Sequence, residues 1–220
     1  MDLIFEDIDV LNTAYYNGKL MKLSTLDCIV QDYKEISRDK DLTKHKLMHD
    51  MIEDIPAVWD YKDIVESTYG KTLNAGVEMT PYFFVYMYIY ADAIISPYLM
   101  GTTIFHNAPM YVGKGTIDRV CSHGQAKGGR DIKSSTTLRQ YNLDFREAGL
   151  EPYVFILAKG LNSILAEWLE ADVLAYFKSK YHYTRGDGGF RLAPPILNSR
   201  SEIGDSGYLM KLDGTFGNTK

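Results

Sequence analysis

The chain is poor in the residues that announce the simplest functions. Of its 220 residues only two are cysteine, Cys28 and Cys121. Two thiols cannot build a disulfide scaffold or a cysteine-rich zinc site. There is no P-loop, no GxSxG nucleophile elbow, no HExxH and no dinucleotide fingerprint following a strand. The GDGG at positions 186–189 follows a helical pattern and reads as a loop. The first residues, MDLIFED, lack the basic start and apolar stretch of a secretory signal. The expected setting is therefore reducing and cytoplasmic. No excess of basic charge exists either: the formal net charge is -5, which argues against coating nucleic acid by bulk charge.

One long apolar run is present. Residues 81–100 read PYFFVYMYIYADAIISPYLM and approach the length of a membrane span. Asp92 and Pro97 interrupt the run, and tyrosine, which belongs at membrane edges, recurs through it. It reads as a buried aromatic strand followed by a turn, so no membrane partner is expected. Tyrosine is the abundant aromatic, 17 against 9 Phe and 2 Trp. It packs and hydrogen-bonds at once, which suits strands, interfaces and phosphate-handling sites.

Charge divides the chain. Residues 1–75 hold nine Lys and Arg against fifteen Asp and Glu, whereas the remainder is close to balanced. This shift predicts a helical N-terminal module over 1–75. Its first helix is LSTLDCIVQDYKEI, with Leu23, Leu26, Ile29, Val30 and Tyr33 at helical spacing and Ser24 or Thr25 as cap. Two further short helices, in residues 42–55 and 58–70, would complete a small bundle or a helix-turn-helix; the acidic balance favours the bundle.

A second domain is expected over 80–200, followed by a polar tail at 201–220. Its strands are Tyr82 to Tyr90, Met110 to Val112 and Tyr153 to Leu157, with a long loop across 91–109. Helices are expected after Gly115, over Thr137 to Ala148, and over 162–177. The last has an apolar side of Leu165, Trp168, Leu169, Val173, Leu174 and Phe177, with Asn162 or Ser163 as cap. The fold class is α/β of the α+β kind: a small three-stranded antiparallel sheet flanked by helices.

The residues that could carry chemistry lie in this second domain. Tyr86 is in the first strand and Tyr111 in the second, which leaves through Val112-Gly113-Lys114-Gly115. Arg119 and His123 share one face of the next helix, four residues apart. Glu170 sits in the middle of the last helix, with Glu167 and Asp172 as rival carboxylates. Residues 111–150 add a basic lane including Lys127 and Arg130, with a net of three positive charges; a phosphate track depends on such local charge. Each residue alone has a structural reading: tyrosines pack, Lys114 turns in solvent, and carboxylates sit on helix surfaces.

Taken in order, these elements resemble the GIY-YIG nuclease superfamily. Phe84-Val85-Tyr86, then Tyr111-Val112-Gly113-Lys114-Gly115, then Arg119-x-x-x-His123 follow its motif order. LAEWLEADVLAYF resembles its catalytic-glutamate helix, and Pro194-Pro195-Ile196-Leu197-Asn198 its closing element. The YVGKG form is closest to a subgroup of phage and bacterial proteins. The resemblance covers roughly residues 80–200, and departs where FVY replaces the first motif's Gly-Ile-Tyr. It implies a metal-dependent endonuclease cutting DNA one strand at a time, as a homodimer or by two nicks where both strands are cut. It implies Tyr86 as base, Tyr111 positioning water or phosphate, Arg119 on the phosphate and His123 assisting. Glu170 would be the ligand of Mg²⁺ or Mn²⁺. Lys114, Gly113, Gly115, Asn198, Lys127 and Arg130 would meet or order the substrate. Branched DNA, RNA, or a fold that binds nucleic acid without cutting are the alternatives.

Overall fold

The computed structural model describes residues 16–39, 53–59, 64, 83–124, 147–149, 153–181, 196 and 198. The expected helix over Thr137 to Ala148 lies largely outside these residues. So do most of the second and third N-terminal helices, the loop with Lys127 and Arg130, and the tail.

The elements run β1 (Leu20–Lys22), α1 (Leu23–Asp39), β2 (Phe83–Met100), β3 (Thr103–Gly115), α2 (Ile117–Gly124), β4 (Tyr153–Leu161) and α3 (Ser163–Tyr181). The sheet is antiparallel, in the order β1-β4-β2-β3, and has four strands among the described residues rather than the three expected. The additional strand comes from the acidic N-terminal segment, where Leu20 pairs with Phe155 and Lys22 with Tyr153. Where β1 stops, residues 58 and 59 continue along the same edge. Val58 N–H donates to the Ile156 carbonyl and Trp59 N–H to that of Leu157, both at 2.9 Å. Lys159 Nζ donates to the Glu53 and Ile55 carbonyls at 2.8 and 2.7 Å. This part of the segment is thus built into the sheet.

A second correction concerns the hairpin. The expected loop at 91–109 is instead strand, so that β2 and β3 form one long hairpin closing at Gly101-Thr102. Gly101 has φ of 59°, and a Cβ there would lie 2.8 Å from the Trp59 ring. Register shifts between Tyr88 and Tyr98 mark bulges, which broke the alternation that sequence reading relies on. Asn107 secures this irregular stretch. Its Oδ1 accepts from the Tyr16 hydroxyl at 2.6 Å, and its Nδ2 donates to the Tyr90 carbonyl at 3.1 Å. Its own carbonyl accepts from Tyr98 at 3.1 Å. Asn107→Ala is expected to cost about 2 to 4 kcal/mol, because it strands two partly buried partners. Urea denaturation would measure this, and a change below about 1 kcal/mol would show that water replaces both bonds.

Both faces of the sheet are covered, which is why β2 reads as a continuous apolar run. Phe84, Tyr86, Tyr88 and Tyr90 pack with Leu23, Leu26 and Val30 of α1 and Ile117, Val120 and Cys121 of α2. Val85, Met87 and Ile89 pack on the other face with Leu165, Leu169, Val173 and Phe177 of α3. Asn162 is the cap of α3: its Oδ1 accepts from Leu165 N–H at 2.8 Å. Among the described residues no helix is long and apolar enough to cross a membrane.

Candidate active site

The end of the hairpin remote from its turn holds Tyr86, Tyr111, Gly113, Lys114 and Gly115. Tyr86 pairs with Gly113 across the strands, and Tyr88 with Tyr111. Paired residues share a sheet face, so Tyr86 and Tyr111 lie on the side of α1 and α2. Their ring centroids are 6.3 Å apart. Gly113 fits between them for lack of a side chain. A Cβ there would lie 2.7 Å from Tyr86 Cζ and Oη and from Tyr111 Cε1. Gly115 plays the same part for Arg119, whose Cδ and Cβ would lie 2.5 and 2.9 Å from a Cβ at that position.

Arg119 is exposed on α2, one turn beyond the end of β3. Glu170 on α3 is buried, with 5% of its surface exposed. Both act on Tyr86. Burial pushes the Tyr86 hydroxyl well above its ordinary value of 10.0. The neighbouring Tyr111 and Tyr88 raise it further, Arg119 lowers it and the Glu170 carboxylate raises it. Tyr86 is therefore a neutral phenol at physiological pH.

This shift has a consequence for alkaline stability. A group whose folded value exceeds its unfolded value of 10.0 stabilises the fold fully below pH 10, and that stability is lost as pH rises through the folded value. Above pH 10 the wild type is therefore expected to lose stability more steeply than Tyr86→Phe. Paired melting curves from pH 8 upward, read by circular dichroism, would check this. Parallel curves would show that the hydroxyl is hydrated.

One residue near the site was not singled out from sequence, and a second was named there only as a rival carboxylate. Tyr88 is fully buried, and its hydroxyl donates to the Val120 carbonyl at 2.7 Å, tying the Arg119 helix to β2. Its alternation with Tyr86 was the available signal. Glu167, the carboxylate less favoured by register, receives Lys114 Nζ at 2.5 Å. Alternation along β3 places Lys114 on the α3 face, opposite Tyr111, and not beside the tyrosines.

Asn198 is bonded to the edge strand. Its Oδ1 accepts from Val112 N–H at 3.0 Å and its Nδ2 donates to the Val112 carbonyl at 2.6 Å. It thereby occupies both backbone groups between Tyr111 and Gly113 on the edge strand. Its amide is spent on the protein and not on a substrate. His123 belongs to α2, but its side chain lies outside the described set, as do Lys127 and Arg130 entirely. Asp172 is buried as well, at 3% exposure, where a surface charge was the simpler reading.

Among the described residues no three His, Cys, Asp or Glu side chains gather to hold a metal ion. The donor offered is the carboxylate of Glu170, whose charge reaches the Tyr86 hydroxyl, with Asp172 a second buried carboxylate on the same helix. That fits a hard cation that keeps most of its waters, such as Mg²⁺, and does not fit a thiolate- or imidazole-bound metal. No protein family, curated protein or solved structure matches this chain.

Proposed function

We propose that this chain is a divalent-metal-dependent endonuclease of the GIY-YIG type, hydrolysing DNA phosphodiester bonds at a single site. The observation that carries the reading is the packing of Tyr86 and Tyr111 about Gly113, with Arg119 against Gly115 two residues on, and with the charges of Arg119 and Glu170 both felt at the Tyr86 hydroxyl; the four residues come from β2, β3, α2 and α3.

The chemistry follows from what each group offers. A phosphodiester is cut when water attacks phosphorus and the bond to the 3′ oxygen breaks, leaving a 5′ phosphate. Arg119 is exposed and permanently charged, and its planar fork matches two phosphate oxygens. It anchors the scissile phosphate and offsets the charge that grows on it. Tyr86 would accept the attacking water's proton at its hydroxyl oxygen while giving its own phenolic proton to His123, the assisting role the resemblance implies, and the departing 3′ oxygen takes a proton from solvent. Tyr111, half-buried beside it, positions the phosphate. Glu170 would hold the Mg²⁺ or Mn²⁺, which supplies Lewis-acid relief to the leaving oxygen. Tyr88 and Asn198 hold the Arg119 helix and the Tyr111 strand in place.

The test is incubation of the full chain with supercoiled plasmid, a branched duplex and RNA, each with Mg²⁺, Mn²⁺ or EDTA. Nicked or linear plasmid only with metal is the expected result. Cleavage confined to branched DNA or RNA would move the substrate and keep the chemistry. Binding without cleavage on all three would replace the enzyme with a nucleic-acid-binding fold.

A further inference from the structure

The ion pair at the end of β3 has no part in the chemistry above. Lys114 stands between the two glycines on which the tyrosines and Arg119 pack, yet its ammonium is engaged by Glu167 of α3 at 2.5 Å. Both side chains are open to solvent, at 25% and 59% exposure, so a ligand can reach either. Glu167 precedes Glu170 by three residues, which makes the two neighbours on the helix surface. Lys114 is therefore held one helical turn from the buried carboxylate.

We propose that Glu167 is a specificity-determining residue: it occupies Lys114 in the free protein and yields it only to a phosphate of a bound nucleic-acid backbone. The inference rests on the nuclease reading of the same site. An exposed ion pair contributes little stability and is screened by salt, so it is a poor strut between β3 and α3. It is a good competitor. A backbone phosphodiester offers the same ammonium one negative charge on two oxygens, as the carboxylate does, so it competes for Lys114 on equal terms. It wins when the rest of the backbone is already anchored, as it would be at Arg119. A polyanion that touches Lys114 alone must displace Glu167 with nothing to hold it nearby. The carboxylate thus penalises stray contacts and spares a phosphodiester backbone that engages both cations.

The test is binding, which needs neither metal nor turnover. Fluorescence anisotropy of a labelled DNA duplex would be followed against KCl for the wild type, Glu167→Gln, Lys114→Gln and the double variant. Glu167→Gln is expected to tighten binding about 2- to 5-fold, the strength of a surface ion pair. Its log–log salt slope should stay close to that of the wild type, because Lys114 meets the same phosphate in both complexes, whereas Lys114→Gln should lower the slope by roughly one. In the Lys114→Gln background the same substitution should change neither quantity. Two results overturn the proposal while leaving the nuclease reading intact. One is no tightening in Glu167→Gln; the other is the same tightening with Lys114 absent, which makes Glu167 one repelling charge among many. If the wild type binds neither duplex, single strand nor RNA, the nuclease reading falls and this inference with it.

Discussion

Glu170→Gln should abolish metal-dependent cleavage, with a loss of about 10²- to 10³-fold or more. The substitution keeps shape and volume while removing the one buried carboxylate that acts on Tyr86. A neutral amide has no charge to hold a divalent cation, so the loss should persist at any Mg²⁺ concentration. Binding of a DNA duplex without metal should survive and can tighten, because a negative charge near the phosphate path is gone. Glu170→Asp keeps the charge but draws it back by one methylene, and misplacement of that size is worth about 10²-fold. The Tyr86 hydroxyl supplies an activity-independent check. The Glu170 carboxylate raises its value, so in Glu170→Gln tyrosine ionisation should move to lower pH. Ultraviolet titration of the two proteins would reveal it. Full cleavage by Glu170→Gln would shift attention to Asp172, the other buried carboxylate of α3.

The residues proposed for the site were picked out by motif spacing, whereas the fold around them was only partly legible, for a physical reason. Tyr86, Tyr111, Gly113, Arg119 and Glu170 lie at fixed offsets within their elements, and those offsets follow from strand and helix geometry alone. The strand cores were equally readable, since Tyr153 to Leu157 and the aromatic run at 83–90 have nowhere to go but into a covered sheet. The hairpin was not. Bulges between Tyr88 and Tyr98 spoil alternation, and Asp92 and Pro97 argue locally for a loop. What overrides them is tertiary: Asn107 bonds to Tyr16 and Tyr90, and Trp59 packs where Gly101 turns. The short strand β1 was hidden for a similar reason. Three residues, Leu20 to Lys22, carry no periodicity, and only their pairing with β4 defines them. Helix α3 misled in the other direction. Its apolar stripe was read correctly, yet Ala166, Glu170, Ala171 and Asp172 are buried too, because the helix is covered well beyond that stripe.

Gly113→Ala should be a damaging single-methyl change. The added Cβ would stand 2.7 Å from Tyr86 Cζ, from Tyr86 Oη and from Tyr111 Cε1. These are atoms of aromatic rings on the same sheet face, not tips of flexible chains, and the buried Tyr86 ring cannot swing clear cheaply. Tyr86 is fully buried and packs edge-on to Tyr88 at 6.1 Å. Nor can the strand retreat, because Asn198 holds Val112 by both backbone groups. Overpacking of this kind costs about 1 to 3 kcal/mol of stability. Displacing both tyrosines by an ångström should cost cleavage about 10²-fold. Tyr111→Phe separates the two effects. It keeps the ring and the packing, so it should leave the melting temperature nearly unchanged and lower cleavage only by what the hydroxyl contributes. Gly113→Ala should lower both and should alter the near-ultraviolet tyrosine circular dichroism, which reports ring packing whether or not the protein cuts DNA. A Gly113→Ala protein with wild-type melting and an unchanged tyrosine spectrum would mean that the rings are not locked over this glycine. The arrangement of Tyr86, Tyr111 and Gly113 would then lose its claim to be a built site.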